Sequence, residues 1–587
     1  MRVLALTPPG RLPTTVSDLG LWWDRAAENP QHELLRFSAS HAWWLTICGA
    51  SIKDLILEPY RLLERWRWRA LWRSQNIALK QDGQIAVAAL ADLSTPAPYS
   101  SASTYLKTIA PLAHYLADLN RAQNDIDVGV DYGAHVRRLN YIDSATLVRY
   151  SEQNTLLSRT IAAALDQCPQ RLGFIAVSVA GLEELLAAMI ASRHLRAANP
   201  GVHICLIDHG YENFSLHSHM DELRKSGTLD GVFDSIVVSK DDRDDVVPAL
   251  IDAIAEGRSP RGQLTRASFP ELRPQQASRI SPPPPLPTFA PEPILVTRLS
   301  KRRCYWSRCT YCAHNNKYDD KGAPTRAEIP GAVDRIEAFV AAGYSRYVNF
   351  ADEALSPAAL RALARELDRR KLELKWVCRS KVELAHDAEL FAELGRAGCK
   401  EIQYGLETTS PRVLKLMDKY VEGIDEPRLG QMFGEMQAAG IGVHVNLIGG
   451  FPADTIADTE GSVDFLLREF GSLRSASYFI SAFTLLPDTP VVQAPQRFGL
   501  RDIGIHGDIA QALTYRLDPE ISAGTDEVME AIPRLDNRLA DGLGWSRLGD
   551  MPTSAMLKAL YFGSGHGSLF KARADNPFAN PKSVVVD

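Results

Sequence analysis

The stretch PILVTRLSKRRCYWSRCTYC, residues 293–312, joins a short apolar segment to three cysteines within nine positions. The segment PILVTRLS has the composition of a buried strand. The whole chain of 587 residues has only eight cysteines, so three of them in one loop indicate a metal centre. Thiolates bind zinc and iron-sulfur clusters, and a cubane held by three cysteines leaves one iron with an open position. We therefore expect Cys304, Cys309 and Cys312 to bind a metal centre.

Strand-like and helix-like segments alternate regularly after this stretch. The predicted strands that follow PILVTRLS are RYVNFADEAL, LKWVCRSKVE, EIQYGLETTS, GVHVNLIGGFP and SYFISAFTLLP. Five segments with helical periodicity separate them. Six strands with five intervening helices predict a parallel sheet that curls into a partial (β/α)6 barrel over residues 293–490. Chemistry in such barrels lies at the carboxyl ends of the strands, where the cysteines follow the first strand.

The first half of the chain predicts a second α/β domain. LGFIAVSVAG, a helical segment and VHICLIDHG form a β-α-β unit over residues 172–208, and RVLALTPPG and GVFDSIVVSK add further strands. We expect a flavodoxin-type parallel sheet over residues 1–265, with a mostly helical insertion at about 20–165, and a ligand crevice at the strand carboxyl ends. Prolines predict an extended linker over 266–292, and residues 491–587 predict a mainly helical C-terminal cap.

Composition and charge narrow the classes of partner. Lys and Arg total 65 and Asp and Glu total 71, so the formal charge is −6 and no overall basic field favours a nucleic-acid partner. No segment approaches 18 uninterrupted apolar residues, so no membrane partner is expected. Sparse, unevenly spaced cysteines are typical of a reducing compartment. We expect a cytoplasmic protein.

The cysteine segment CYWSRCTYC, with Tyr311 directly before the last cysteine, resembles the cluster motif of the radical S-adenosylmethionine superfamily. Its spacing is C-x4-C-x2-C, whereas the usual spacing of the family is C-x3-C-x2-C. The resemblance implies that the three cysteines hold a [4Fe-4S] cluster whose open iron is chelated by S-adenosylmethionine. It also implies that an electron donor such as flavodoxin or ferredoxin reduces the cluster, which then cleaves S-adenosylmethionine to a 5'-deoxyadenosyl radical.

The same resemblance extends over about 295–490 and implies further cofactor contacts at the strand ends. Acidic residues in NFADEAL are expected near the methionine amine, and the glycines in NLIGGFP are expected to let the backbone approach the adenine closely. The residues implied to bind S-adenosylmethionine are Tyr311, Asp352, Glu353, Arg379, Glu407, Asn446, Gly449 and Gly450.

The first domain resembles the cobalamin-binding branch of this superfamily, in which the corrinoid lies between the two domains. The expected loops are 7–10, 178–181 and 208–213, and the D-x-H-x-x-G signature is absent because His209 directly follows Asp208. The resemblance implies methylation of an unactivated centre in a natural product or peptide, and hence a small-molecule or peptide substrate. The residues expected to contact cobalamin are Pro9, Ser178, Gly181 and Gly210.

Two alternatives remain open at the level of sequence. In the first, the protein is a radical enzyme whose N-terminal sheet lacks cobalamin and which catalyses a non-methylating reaction. In the second, the three cysteines and His314 form a closed Cys3His zinc site in a binding protein. The order and spacing of the segments after the cysteines favour the radical enzyme.

Overall fold

The computed structural model of the protein contains two large parallel sheets, one in each half of the chain, which confirms the predicted α/β class. The structure describes residues 1–49, 83–130, 133–179, 182–208, 223, 226–237, 240–272, 279–300, 304–313, 326–505, 507–510, 512–522 and 524–544. Within these residues no helix is both long enough and apolar enough to span a bilayer.

The strands are numbered in chain order. They are β1 (Arg2–Thr7), β2 (Thr15–Ser17), β3 (Glu33–Ser38), β4 (Ile126–Gly129), β5 (Gly133–Val136), β6 (Phe174–Val179), β7 (His203–Asp208), β8 (Ser235–Val237), β9 (Gly262–Gln263), β10 (Ile294–Thr297), β11 (Tyr347–Phe350), β12 (Lys375–Ser380), β13 (Cys399–Glu407), β14 (Gly442–Gly449), β15 (Ala476–Ala482), β16 (Leu500–Gly504) and β17 (Thr514–Leu517).

The α-helices cover the faces of the sheets and connect their strands. They are Leu21–Ala26, Ala39–Cys48, Ala102–Ala122, Ser144–Ser151, Leu156–Leu165, Leu182–Ala198, Lys240–Ala255, Glu328–Ala341, Pro357–Arg370, Ala388–Arg396, Pro411–Leu416, Glu426–Ala438, Ile456–Phe470, Pro490–Gln493 and Thr525–Leu543.

The first sheet has six strands in the order β3-β1-β6-β7-β8-β9, and all neighbours are parallel. Alternate residues of β1 enter different cores: Leu4 and Leu6 pack on one face of the sheet, and Val3 and Ala5 on the other. Because both faces are covered, the strands are continuously apolar, which made them recognisable in the sequence. The edge strand β3 was missed, since the region 20–165 was predicted to be mostly helical.

The second sheet contains the six predicted barrel strands and one that the sequence did not predict. Its order is β15-β14-β13-β12-β11-β10-β2, and all neighbours are parallel. The extra strand β2 comes from the start of the chain and pairs with β10, so that Val16 lies opposite Leu295. A three-residue strand is too short to show a period of two. The domain boundaries stay a prediction, but residues 15–17 belong to the second sheet.

The C-terminal part, predicted to be a mainly helical cap, also contains a pair of short strands. Strands β16 and β17 form an antiparallel pair, and the helix Thr525–Leu543 follows them. Leu535 and Leu539 of that helix are fully buried in the core of the second sheet. The helix is therefore part of the barrel wall, and residues 545–587 lie outside the described residues.

Candidate functional site

The three cysteines lie on a loop that follows β10, on the carboxyl-end face of the second sheet. The indole Nε1 of Trp306 donates a hydrogen bond to the carbonyl of Asp418 at 2.8 Å. Thr310 donates twice, from its backbone N–H to the carbonyl of Met417 at 3.0 Å and from its hydroxyl to the carbonyl of Leu416 at 3.1 Å. These bonds anchor the loop on the turn that follows the helix Pro411–Leu416.

The donor set fits a cluster that is bound by three cysteines. Cys309 is buried, whereas Cys304 and Cys312 are partly exposed, so the loop offers its thiols to a group at the surface of the barrel. In a cubane each cysteine binds a different iron, so the thiols need not converge on one point. Among the described residues no three His, Cys, Asp or Glu side chains converge around a single ion. His314, the fourth ligand of the zinc alternative, lies outside them.

Next to the cysteines, Tyr311 and Glu407 form a buried polar group with Lys419. The Tyr311 hydroxyl donates to Glu407 Oε1 at 2.9 Å, and Lys419 Nζ donates to that hydroxyl at 3.0 Å and pairs with Glu407. Burial disfavours the charged lysine, but the neighbouring carboxylate outweighs it and the pKa of Lys419 is raised. Burial also raises the pKa of Cys309, and the Lys419 cation opposes this effect.

Glycine at position 405 leaves room for this arrangement. A Cβ there would lie 2.4 Å from Glu407 Oε1 and 2.7 Å from Lys419 Nζ. Glu407 itself has a φ of 66°, at the end of β13 where the register with β14 shifts. The irregular end of the strand therefore points the carboxylate towards the cysteine loop.

Asp352 and Glu353 hold the chain that enters the cysteine loop. The Asp352 carboxylate, which is 3% exposed, accepts hydrogen bonds from the backbone N–H of Leu299 at 2.8 Å and of Ser300 at 3.2 Å. Glu353 pairs with Arg298 at 3.3 Å, and both side chains are buried. These contacts give the two acids a positioning role, and their contact with S-adenosylmethionine stays a prediction.

The glycine-rich end of β14 packs against a helix. A Cβ on Gly450, whose φ is 75°, would lie 2.4 Å from Met529 Sδ, and one on Gly449 would lie 3.2 Å from Ile532. The two glycines thus make room for the helix Thr525–Leu543. Asn446 Oδ1 lies 3.0 Å from Nε2 of His444 on the same strand. Contacts of all three predicted residues with the cofactor stay predictions.

A cavity of about 210 Å³ lies between the two sheets and brings predicted residues from both together. Ser178 of β6 and Arg379 of β12 both line it, as do Asn349 and the loop that follows β1. A guanidinium that lines a cavity is suited to pair with an anionic group of a ligand.

The loop after β1, which lines this cavity, is held firmly. Trp44 Nε1 donates to the Gly10 carbonyl at 3.1 Å, and the Ser40 hydroxyl donates to the Arg11 carbonyl at 3.1 Å. A Cβ on Gly133 would lie 2.5 Å from the Gly10 carbonyl, so the β4–β5 hairpin packs directly on the loop.

Of the four residues predicted to contact cobalamin, two lie among the described residues and two lie outside them. Pro8 and Gly10 line the cavity together with Ser178, and Pro9 is buried between them. Gly181 and Gly210 lie outside the described residues, as do most of the loops to which they belong.

Sequence reasoning missed Lys419, Trp306 and Asn349. Lys419 ends the segment YGLETTSPRVLKLMDK, residues 404–419, but its distance from Glu407 along the chain follows no known periodic pattern. Trp306 lies between two of the cysteines and was treated only as part of the motif. Asn349 lies in β11, three residues before the first acid of the pair Asp352 and Glu353. Its polar side chain in an otherwise apolar strand was the signal that could have indicated it.

Comparisons with solved structures show several radical S-adenosylmethionine enzymes among the similar folds. The methyltransferase TsrM from Kitasatospora setae, solved with cobalamin and a [4Fe-4S] cluster, has 15% identity and a TM-score of 0.44; the match covers 68% of this chain and 81% of TsrM. The cobalamin-dependent enzyme OxsB, solved with aqua-cobalamin and S-adenosylmethionine, has 16% identity and a TM-score of 0.45; the match covers 65% of this chain and 60% of OxsB. Coproporphyrinogen III oxidase (HemN) from Escherichia coli has 14% identity and a TM-score of 0.28; the match covers 44% of this chain and 53% of HemN.

No protein-family model matches the chain, and neither does any curated protein sequence. At the identities and TM-scores given above, the similarity does not assign a ligand or a reaction, which are argued from the residues of this chain. Among solved structures, the chain is thus similar to cobalamin-dependent radical S-adenosylmethionine enzymes.

Proposed function

We propose that the protein is a radical S-adenosylmethionine enzyme that methylates an unactivated centre in a small molecule or peptide, with cobalamin in the cavity between the sheets. The observation that carries the proposal is the loop of three cysteines on the carboxyl-end face of a parallel barrel. When bound, the cluster supplies the electron that cleaves S-adenosylmethionine, and cobalamin supplies the methyl group.

The side chains of the site have separable roles in this proposal. Asp352 and Thr310 hold the cysteine loop through backbone groups. Lys419 places a buried positive charge beside the thiols, and such a charge favours thiolates. Arg379 offers a cation to a carboxylate or phosphate in the cavity. Together they would bind and orient the cofactors so that the reacting groups stay close to one another.

The cluster is tested by replacing the three cysteines singly. We expect Cys304→Ala, Cys309→Ala and Cys312→Ala each to lose iron, sulfide and 5'-deoxyadenosine formation after anaerobic reconstitution. Cys168→Ala, which removes a buried cysteine of the first half, is the control and should keep all three. Zinc without sulfide in the parent protein would contradict the proposal and favour the Cys3His alternative.

Binding of S-adenosylmethionine is tested at Arg379. We expect Arg379→Gln to weaken binding at least ~10-fold, about 1.4 kcal/mol, while iron content stays the same. Arg346→Gln, which changes an exposed arginine one residue before β11, at the opposite end of the barrel strands, should bind as the parent does. Equal affinities of Arg379→Gln and the parent, measured by equilibrium dialysis, would remove this residue from the site.

Cobalamin is tested at Ser178. Ser178→Trp should fill part of the cavity and lower the corrinoid content of the purified protein without lowering iron content. Ser472→Trp at an exposed turn should change neither. If the parent protein, produced with ample cobalamin, contains no corrinoid but still forms 5'-deoxyadenosine, the radical enzyme without cobalamin becomes the better proposal.

A further inference from the structure

We propose that the surface formed by Trp306, Arg308 and Lys415 is the docking site of a small acidic one-electron carrier protein. This inference rests on the proposed function and deepens it, because it names where the cluster receives its electron. The surface lies on the cysteine loop itself and on the helix to which that loop is anchored.

The indole of Trp306 contacts two cations. Arg308 Cζ lies 4.0 Å and Lys381 Nζ 3.8 Å from the ring centroid. Each of these contacts stabilises the position of the ring. The ring is only partly buried and lies between Cys304 and Cys309 along the chain. A rigid, half-exposed aromatic ring is the kind of side chain that anchors protein contacts.

The sequence around this tryptophan is basic, whereas the chain as a whole is acidic. Residues 301–325 contain six Lys and Arg residues and two Asp residues, in a chain with a formal charge of −6. Among the described residues, Arg308 of this segment and Lys415 of the anchoring helix are exposed.

Two acids of this region lie beside lysines. Glu383 lies 3.7 Å from Lys381, and Glu407 pairs with Lys419. Asp418, which accepts the indole hydrogen bond through its carbonyl, is an exposed acid on the same turn. Arg308 and Lys415 are the exposed cations of the proposed surface, and they would attract an acidic protein.

Electron transfer to a cluster on this loop needs only a brief and small contact. One electron leaves the carrier and enters the cluster, and no atom or proton is transferred. Complexes of this kind bury little surface, less than about 1,200 Å². Complementary charge then determines the association rate, and this rate falls when salt screens the charges. A positive surface on the cysteine loop meets both requirements.

The test uses flavodoxin and a plant-type ferredoxin as probes and the double variant Arg308→Glu/Lys415→Glu. We expect the variant to bind at least one probe ~10-fold more weakly than the parent at low salt, and the difference to shrink at high salt. Cluster reduction by the reduced probe, followed by the loss of visible absorbance, should slow to a similar extent. Reduction by dithionite, which needs no docking surface, should not change.

Arg121→Glu is the matched control, because it reverses an exposed arginine on a helix of the first half. It should behave as the parent does in every assay. If the double variant does not fold, Lys415→Glu alone, at an exposed helical position, is measured in its place.

The outcomes separate this inference from the proposed function. A parent protein that binds neither probe, or a charge-reversed variant that binds and is reduced like the parent, overturns the docking site. A parent protein without an iron-sulfur cluster overturns the proposed function instead. Binding of the probes is measured independently of the cluster, so the surface is tested in either case.

Discussion

Gly405 shows how one residue without a side chain supports the polar group beside the cysteines. Alanine at this position would bring its Cβ to 2.4 Å from Glu407 Oε1, so Glu407 and Lys419 must move apart. We expect Gly405→Ala to destabilise the protein by ~1–3 kcal/mol, measured by urea unfolding, and to lower cluster occupancy.

Gly434 provides the control for this prediction. It lies in the helix Glu426–Ala438, and no atom lies within 4 Å of a Cβ placed on it. Gly434→Ala should stabilise the protein by up to ~1 kcal/mol, because alanine favours a helix. Equal effects of the two alanines would mean that the space around Gly405 is not limiting.

His386 predicts a loss of stability in mild acid. It is fully buried, stacks on Phe391, and accepts a hydrogen bond at Nδ1 from the Glu383 N–H. Burial lowers the pKa of His386 to about 3. Between pH 6.5 and pH 3 the unfolded chain therefore binds a proton that the folded protein excludes, and stability falls as the pH falls.

The magnitude follows from the same difference in pKa. Between pH 7.5 and pH 5 this histidine should account for ~2 kcal/mol of lost stability, since one pKa unit corresponds to ~1.4 kcal/mol. His386→Asn should be less stable than the parent at pH 7.5 but should lose less stability on acidification. Parallel pH profiles from urea unfolding would show that another group is responsible.

At the scale of single residues, the sequence predicts those features that depend on residues close together in the chain. The three cysteines are recognisable because their ligand spacing lies within one loop. Lys419 reaches Tyr311 only after the barrel has folded, and no local pattern indicates that contact. The ion pair between Arg298 and Glu353 is likewise a tertiary contact, which joins the ends of two adjacent strands.

At the scale of elements, the cysteine loop depends on its anchor. The Thr310 hydroxyl is buried and donates to the Leu416 carbonyl. Thr310→Val removes this donor and should cost ~1 kcal/mol or more. We expect less iron per chain after reconstitution, because the loop is held less firmly.

Thr514→Val is the matched control for the anchor. Its hydroxyl also donates to a backbone carbonyl, that of Gly504, but on an exposed strand where water can replace it. Iron content should then equal that of the parent. A Thr310 variant with full iron content and unchanged stability would show that the other anchoring bonds suffice.

The sequence predicts the long, periodic elements and misses the short ones. All six predicted barrel strands are present. They were recognisable in the sequence because apolar segments alternate with helical ones. Strand β3 lies at the edge of its sheet and is mostly half-buried, so its apolar alternation is weak. Strand β2 is defined by its partner β10 and has no signal of its own.

At the scale of the whole molecule, Arg335 joins the two halves. Its guanidinium bonds to Asp18 and Asp24 near the start of the chain, and the backbone N–H of Ser281 donates to Asp24 at 2.8 Å. Both aspartates are buried. Arg335→Ala should cost ~3–5 kcal/mol, since it leaves two buried carboxylates without their cation. We also expect faster proteolysis within residues 266–292.

Arg370 provides the control for this prediction, because it tests the loss of an arginine whose ion pairs all lie within the second half. Its side chain is 13% exposed, as is that of Arg335, but its partners Asp334 and Glu337 are more than half exposed. Its third partner, Glu366, is largely buried but also pairs with Arg369, so it would keep a cation without Arg370. Arg370→Ala should therefore cost less than ~1 kcal/mol and leave proteolysis unchanged. Similar unfolding midpoints for both variants would contradict the role of Arg335 between the halves.

Strand β2 constrains how this protein can be synthesised and how it can evolve. It leaves the ribosome well before its partner β10, which lies about 280 residues later in the chain. The back half therefore cannot finish its sheet alone, and a gene fragment that starts at the linker would encode a bare β10 edge, which invites pairing with other chains. Recombination that replaced the first half of the gene as one unit would also remove strand β2 from the second sheet.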